Sequence, residues 1–462
     1  MPGTAEVPGG LIPGLAERLG ERLSLSPADL ERHSRDESHH EPRLPWAVAH
    51  CQSVEDVQAV LEVCREYLCP VVPFGAGSGL EGGAIPVHGG VSLDLSGMSR
   101  VLRVDPEDLD ATVEAGVTLS QLNSELGPRG LFFPVDPGSD PTLGGMAATR
   151  ASGTMAVRYG TMAANVLGLR VVLASGEVVT TGGRARKSSA GYDLTHLFTG
   201  SEGTLGVVVE VTLRVQPLPG AVAAAVCPMP DLRSAVSAVI ETIQLGIQVA
   251  RIELLDEVMV DAINRYQQMD SPVTPTLLLE FQGARDAVAE QVREVADVVG
   301  AKGGRLELMP TPEDRSRLWE ARHHALYAAK ALRPHARTWS TDVCVPVSRL
   351  ADCLLETKAE LDRSRVLAPI VGHVGDGNFH LSFVLEEGRE EQFDEAAALH
   401  ARMVERALRM GGTCTGEHGV GIGKTSFLRQ EHPSGVGVMR RLKATLDPLG
   451  ILNPGKMLEV EE

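Results

Sequence analysis

Apolar positions in the first half of the chain fall into short alternating runs, separated by glycine-rich stretches. VSLDL (91–95), TVEAG (112–116), LRVVLA (169–174), EVVTT (177–181) and LGVVVEVTLRV (205–215) read as strands, since β-branched residues at a period of two suit a pleated, half-buried surface. A helix precedes them. Ser53-Val-Glu-Asp56 has the form of a capping box, and apolar residues then recur at helical spacing to about Tyr67. Residues 1–40 read as a helical, polar lead-in.

The texture changes after Pro217-Leu-Pro-Gly220, which predicts a domain boundary. Beyond it, strands AVAAAVC (221–227), ARIELL (250–255), PTLLLEF (275–281), TDVCVPV (341–347), APIVGHV (368–374) and FHLSFVL (379–385) alternate with helical patterns. The helices are predicted at 231–245, 285–299, 390–410 and 436–446. Another starts at the capping box Thr311-Pro-Glu-Asp314 and runs to about Ala331. The expectation is an α+β protein with a lead-in (1–40), a first domain (41–217), a second domain (218–445) and a C-terminal segment (446–462).

Length and composition narrow the partners. With 462 residues, 43% of them hydrophobic, the chain has material for two or three cores. A formal charge of −18 argues against nucleic acid and anionic membrane surfaces as partners. No apolar run approaches the roughly 20 residues that span a bilayer. The N-terminus has neither signal-peptide nor transit-peptide character, so the chain reads as cytoplasmic. A removed mitochondrial transit peptide, peripheral contact with the inner membrane and a homodimer are equally compatible with this pattern. The 7 cysteines lack C-x-x-C spacing and read as reduced thiols.

Glycine carries the first chemical signal. Gly77-Ser-Gly79-Leu-Glu-Gly82 formally matches G-x-G-x-x-G. A Rossmann fingerprint must open a helix, but Pro86 and Gly89-Gly90 follow instead. The loop's bare backbone N–H groups can still bind an anion; a flexible surface loop has the same composition. Pro137-Gly138, Thr142-Leu-Gly144-Gly145-Met-Ala-Ala148, Ser152-Gly153, Tyr159-Gly160 and Gly200-Ser-Glu-Gly203-Thr-Leu-Gly206 extend the pattern. Three such pieces between strands point to a large extended cofactor.

In order, PFGAGSGLEGG, FPVDPG, TLGGMAA, SGT…RYGT and GSEGTLG resemble the FAD-binding domain (PCMH-type) of the vanillyl-alcohol oxidase family. HVGDGNFH, GEHGVG and LDPLGILNPGK resemble its D-lactate dehydrogenase and glycolate oxidase subunit branch, and the likeness covers about residues 40–458. The resemblance implies a two-subdomain FAD-binding domain and an α+β cap whose antiparallel sheet is covered by helices. It implies that Pro73, Gly75, Ala76, Gly77, Ser78, Gly79 and Leu80 cradle the FAD pyrophosphate. Pro137, Gly138, Thr142, Gly144, Gly145, Ala148, Ser152, Gly153, Tyr159 and Gly160 would line the rest. Glu202, Gly203 and Val208 would hold the adenine end, and Asn453 would return to the flavin. No His lies in residues 73–83, so noncovalent FAD is expected.

The stretch HVGDGNFH carries the second signal. Asp376-Gly377 is a two-residue hairpin signal. A turn centred there sets His373 opposite His380 with both rings on one face, able to share an ion. A pair of exposed cross-strand histidines has the same pattern. Glu417, in the glycine-rich stretch GGTCTGEHGVGIGK, is a candidate third ligand, and two His plus a carboxylate leave coordination positions open. The resemblance implies a divalent ion (zinc, manganese or iron) on His373, His380 and Glu417. It also implies His418 as general base and Arg322 as the fork for a substrate carboxylate, with Asn378 as a second polar contact. His323 and His324 read as helix surface. Relatives that take 2-hydroxyglutarate tend to carry a basic residue in the matching strand; Ser340 and Thr341 are neutral here and Trp339 is bulky, so the resemblance implies D-lactate or a larger apolar D-2-hydroxy acid. Electrons would pass to a quinone, cytochrome or other carrier, as no nicotinamide fingerprint survives. A glycolate oxidase subunit working in a complex and a non-catalytic flavin- or metal-binding module are the alternatives.

Overall fold

The computed structural model describes residues 7–333 and 335–458. In the first half, a four-stranded sheet runs in the order Leu23–Ser24, Ala47–His50, Val91–Asp94, Val71–Phe74. Its last three strands are parallel, so the sheet needs cover, which the helices Leu11–Leu19 and Val54–Glu66 supply. The lead-in is therefore more than a polar helix: it contributes the edge strand Leu23–Ser24 and a second helix, Pro27–Arg32, and buries Leu11, Leu15 and Leu19 in the core.

A five-stranded antiparallel sheet follows, in the order Val101–Asp105, Asp110–Glu114, Val207–Arg214, Val166–Val172, Val178–Gly182. It packs on Leu119–Leu126 and Leu143–Thr149. The C-terminal segment closes this half. Val71 N–H donates to Ile451 O at 2.8 Å and Asn453 N–H to Val71 O at 2.8 Å. Ser53 caps its helix by accepting from Asp56 N–H at 3.2 Å, but the Asp56 carboxylate accepts from Gln52 N–H at 3.0 Å, so the box is not reciprocal.

The strands from Ala221 onward form an eight-stranded antiparallel sheet. Period-two alternation divides its faces. Ile252, Leu254, Phe379, Leu381, Phe383 and Leu385 enter the larger core under Leu232–Gln244, Arg285–Ala301, Leu350–Leu361 and Glu390–Arg409. The opposite face is only partly covered, by Glu257–Gln267, Pro312–His323 and Ala325–Ala331. That incomplete cover leaves His380 and Ser382 lining a cavity, with Glu253 fully buried on the same face among polar partners.

The helix expected from 312 to 331 breaks at His324. The apolar spacing did not single out Glu257–Gln267 or Leu350–Leu361, both short amphipathic helices. All 7 cysteines are unpaired. Among the described residues no helix is long and apolar enough to cross a membrane.

Candidate active site

One cavity runs between the glycine loops and the open face of the large sheet. Pro73, Gly75, Ala76, Gly77, Ser78, Gly79, Leu80, Pro137, Gly138, Thr142, Gly144, Gly145, Ala148, Ser152, Glu202, Gly203, Val208 and Asn453 all line it. Among the described residues, the backbone N–H groups of residues 76–80 donate to no protein acceptor. These residues are half-buried or exposed, and successive free N–H groups in such a loop make a concavity that can hold an anion. A Cβ added at Gly138 would meet only His323 O, at 3.7 Å, and would otherwise project into the cavity. At Gly138 a side chain would thus take up cavity space, whereas at Gly75, Gly77 and Gly144 it would strike Thr142, Phe74 and Ala115; FAD fits the bare strip they line.

Three expected cofactor residues lie off this wall. Gly153 is packed on the Asp136 backbone, where a Cβ would meet Asp136 C at 2.5 Å. Tyr159 Oη donates to Gln282 Oε1 at 2.7 Å, and Gly160 ends the helix Ala156–Tyr159. The stretch folds into short helices that turn away from the cavity. Glu202 also differs from expectation. Its carboxylate accepts from Val420 N–H at 2.7 Å and Gly421 N–H at 2.8 Å, clamping the loop that follows Glu417.

The hairpin register is not the expected one. His380 pairs with Val371, and residues 374–376 form a 3-10 turn closed by Gly377 at φ 80°. The connection is wider than two residues: Gly377 passes close under Val345 O, and its own carbonyl accepts from Val345 N–H at 2.9 Å. His373 nevertheless reaches His380, with ring centroids 5.6 Å apart. His373 Nε2 and His380 Nε2 both approach Glu417 Oε1, at 3.0 and 3.1 Å. Ligand atoms of the three residues lie within 4.8 Å of one another.

Polar contacts behind the ligands fix their direction. His380 Nδ1 lies 2.9 Å from Thr341 O, an acceptor only, so Nδ1 carries a proton. Its Nε2 would then face a carboxylate oxygen with no proton between them unless a second proton or a cation sits there. His373 Nδ1 is 2.7 Å from Glu253 Oε1. Burial disfavours the His373 cation, but Glu253 and Glu417 outweigh it and hold its pKa well above the ordinary value. Burial likewise opposes the Glu417 charge, yet His373 and His380 hold its pKa well below the carboxylate range. This donor set suits a divalent ion. At about 2.0–2.2 Å from a tetrahedral zinc, ligand atoms stand about 3.3–3.6 Å apart, between the 3.0 and 3.1 Å of the two His–Glu pairs and the 4.8 Å within which all three lie.

Arg322 lines the same cavity and is 8% exposed. Its Nε and Nη2 donate to Glu253 Oε2 at 2.7 and 2.6 Å. His418 stacks on His380 with centroids 4.8 Å apart, and its Nδ1 is buried without a partner. Burial lowers the His418 pKa to about 4 against the pull of Asp342. Asn378 is not on the wall: its amide donates to Asp342 Oδ1 at 2.7 Å and Val343 O at 2.8 Å. It braces Asp342, which also accepts from Glu417 N–H at 2.9 Å and His418 N–H at 3.0 Å. His323 is not plain helix surface, since it lines the cavity. Ser340 does too, whereas Trp339 turns away and stacks on His39 at 4.1 Å, so it does not narrow the pocket.

Glu253 and Asp342 were not singled out from the sequence. Each is a fully buried carboxylate in or beside an apolar strand. In ARIELL the alternation sets Arg251 and Glu253 on one face, a signal that a buried charge needs a partner.

Residues 45–182 match the family described as FAD binding domain, and residues 218–457 match FAD linked oxidases, C-terminal domain. The probable D-lactate dehydrogenase, mitochondrial, of Danio rerio is 49% identical over 447 residues, covering 96% of this chain and 90% of that protein. The D-lactate dehydrogenase [cytochrome], mitochondrial, of Arabidopsis thaliana is 44% identical, covering 98% and 81%. The fold is that of p-cresol methylhydroxylase, solved with substrate bound: TM-score 0.80 at 20% identity, over 97% of this chain and 96% of that one. With both halves matched in order and a relative this similar along nearly the whole length, the chain belongs to the FAD-linked oxidase family, in its D-lactate dehydrogenase branch.

Proposed function

We propose that this chain is an FAD- and divalent-metal-dependent dehydrogenase. It oxidises a D-2-hydroxy acid, D-lactate or a larger apolar analogue, to the 2-oxo acid and passes electrons to a carrier other than NAD. The observation that carries the reading is the convergence of His373 and His380 on Glu417, in one cavity with Arg322 and the open row of N–H groups. The names of the Danio rerio and Arabidopsis thaliana relatives agree with it.

FAD held noncovalently on residues 75–80 and 137–152 would supply the two-electron acceptor. A zinc, manganese or iron ion on His373, His380 and Glu417 would supply a Lewis acid that lowers the pKa of the substrate hydroxyl. Arg322 binds the substrate carboxylate through its free guanidinium edge. His418, neutral at pH 7 because burial holds its pKa at about 4, takes the hydroxyl proton. Ser340, a neutral group on the wall, leaves no cation for a second substrate carboxylate.

The test is anaerobic bleaching of the flavin colour against D- and L-2-hydroxy acids. D-Lactate should bleach it and L-lactate should not. Faster bleaching by D-2-hydroxyglutarate than by D-lactate would overturn the apolar-substrate reading. Acid precipitation should release free flavin; colour retained in the pellet would refute noncovalent binding.

A further inference from the structure

Glu253 sits in the strand Arg251–Leu255 with a side chain 0% exposed. Its neighbours Ile252 and Leu254 go into the larger core, so the alternation turns Glu253 to the cavity face. There its two oxygens serve different partners. Oε1 meets His373 Nδ1 at 2.7 Å; Oε2 accepts from Arg322 Nε at 2.7 Å and Nη2 at 2.6 Å. A buried ion pair is a poor source of stability compared with apolar residues of the same size. Stability therefore does not account for a charge here, but geometry does.

We infer that Glu253 is a positioning residue that ties the metal ligand to the carboxylate-binding arginine, registering ion and hydroxy acid against each other through one rigid carboxylate. This rests on the reading above, in which His373 holds the ion and Arg322 the substrate. Glu253 fixes the His373 proton on Nδ1 and so presents Nε2 as the ligand atom, as outer-shell carboxylates do for metal-bound imidazoles. It occupies the Nε–Nη2 edge of Arg322, so a substrate carboxylate meets the guanidinium through the Nη1–Nη2 edge. In a 2-hydroxy acid the two groups to be held stand on adjacent carbons. Anchors locked together by one side chain match that spacing and discriminate against 3-hydroxy acids, whose hydroxyl lies one carbon farther away.

The experiment uses flavin-loaded Glu253→Gln and Glu253→Asp. Zinc and manganese affinities are measured by competition with a chromophoric chelator. KM and kcat for D-lactate and D-3-hydroxybutyrate are then measured at saturating metal. Glu253→Gln can accept from His373 or from Arg322 but cannot satisfy both. It should weaken metal binding by roughly 10- to 100-fold. At saturating metal the KM for D-lactate should stay raised, and the preference for the 2-hydroxy acid should shrink. Glu253→Asp, which keeps the charge with a shorter reach, should lie between. Wild-type metal affinity in Glu253→Gln, or a KM that returns to wild type once metal is saturating, overturns the inference. If Glu253→Gln does not yield flavin-loaded protein, Glu253→Asp is judged on the same readouts. A wild-type protein that binds neither metal would instead remove the reading of the site, and this inference with it.

Discussion

The two ends of the cavity are built from opposite materials. The cradle at residues 75–80 is backbone: a glycine-rich loop whose N–H groups from 76 to 80 meet no protein acceptor among the described residues. The proposed metal end is side chain: His373, His380, Glu417, Arg322 and Glu253, each held by another. A backbone cradle tolerates any change that adds no atoms to its surface. A cross-braced cluster tolerates almost none, because removing one charge leaves its partner buried and unpaired. Substitutions at the two ends should therefore separate cleanly.

The largest separation is expected from His380→Ala. Losing a ligand should remove the bound ion and with it several kcal/mol of stabilisation at the reacting hydroxyl, lowering turnover by roughly 10³-fold or more. Flavin content should stay at the wild-type level. Metal analysis beside the flavin absorbance checks this, and full metal retention would sink the ligand assignment. Gly138→Val should do the reverse, more mildly. Its side chain enters the space the cofactor needs, at a cost of about 1–3 kcal/mol, or roughly 5- to 150-fold in flavin affinity. Metal binding should be unchanged, and flavin titration of the apoprotein reads it. An unaltered flavin affinity would mean the cofactor does not lie against this wall. The smallest effect tests the seam between the regions. Glu41, 72% exposed, pairs with Arg337 at 2.9 Å where the segment after residue 33 crosses to the large sheet. Glu41→Ala should cost at most about 1 kcal/mol and leave both affinities alone. A loss of flavin or metal in this variant would show that the crossing segment governs the cavity.

The contrast also explains what could be read from the chain before any coordinates. Strands and capped helices were legible because alternation and cap residues are local, as at Ser53 and Thr311. The glycine loops were legible because bare backbone has few other uses. Of the metal end, His373, His380, Glu417, His418 and Arg322 all reach the cavity, but the hairpin argument that paired the histidines used the wrong register. The Asp376-Gly377 signal is real, yet a close pass beneath Val345 widens the loop, and that constraint comes from a segment distant in sequence. Asn378 and Trp339 were misread for the same reason: which way a side chain turns depended on Asp342 and His39. Glu253 and Asp342 are anchored to partners far along the chain, so only their awkward presence among apolar neighbours could have marked them.

Asn453 donates through its amide to Gly83 O, 370 residues earlier, and to Glu202 O, while the adjoining backbone bonds both sides of Val71. The wall of the cradle is thus completed by a segment that lies 370 residues from Gly83 along the chain. A nascent chain that has made every glycine loop still has no finished cradle to offer. Cofactor loading therefore depends on docking of a segment remote in sequence, so flavin binding and this long-range closure stabilise each other.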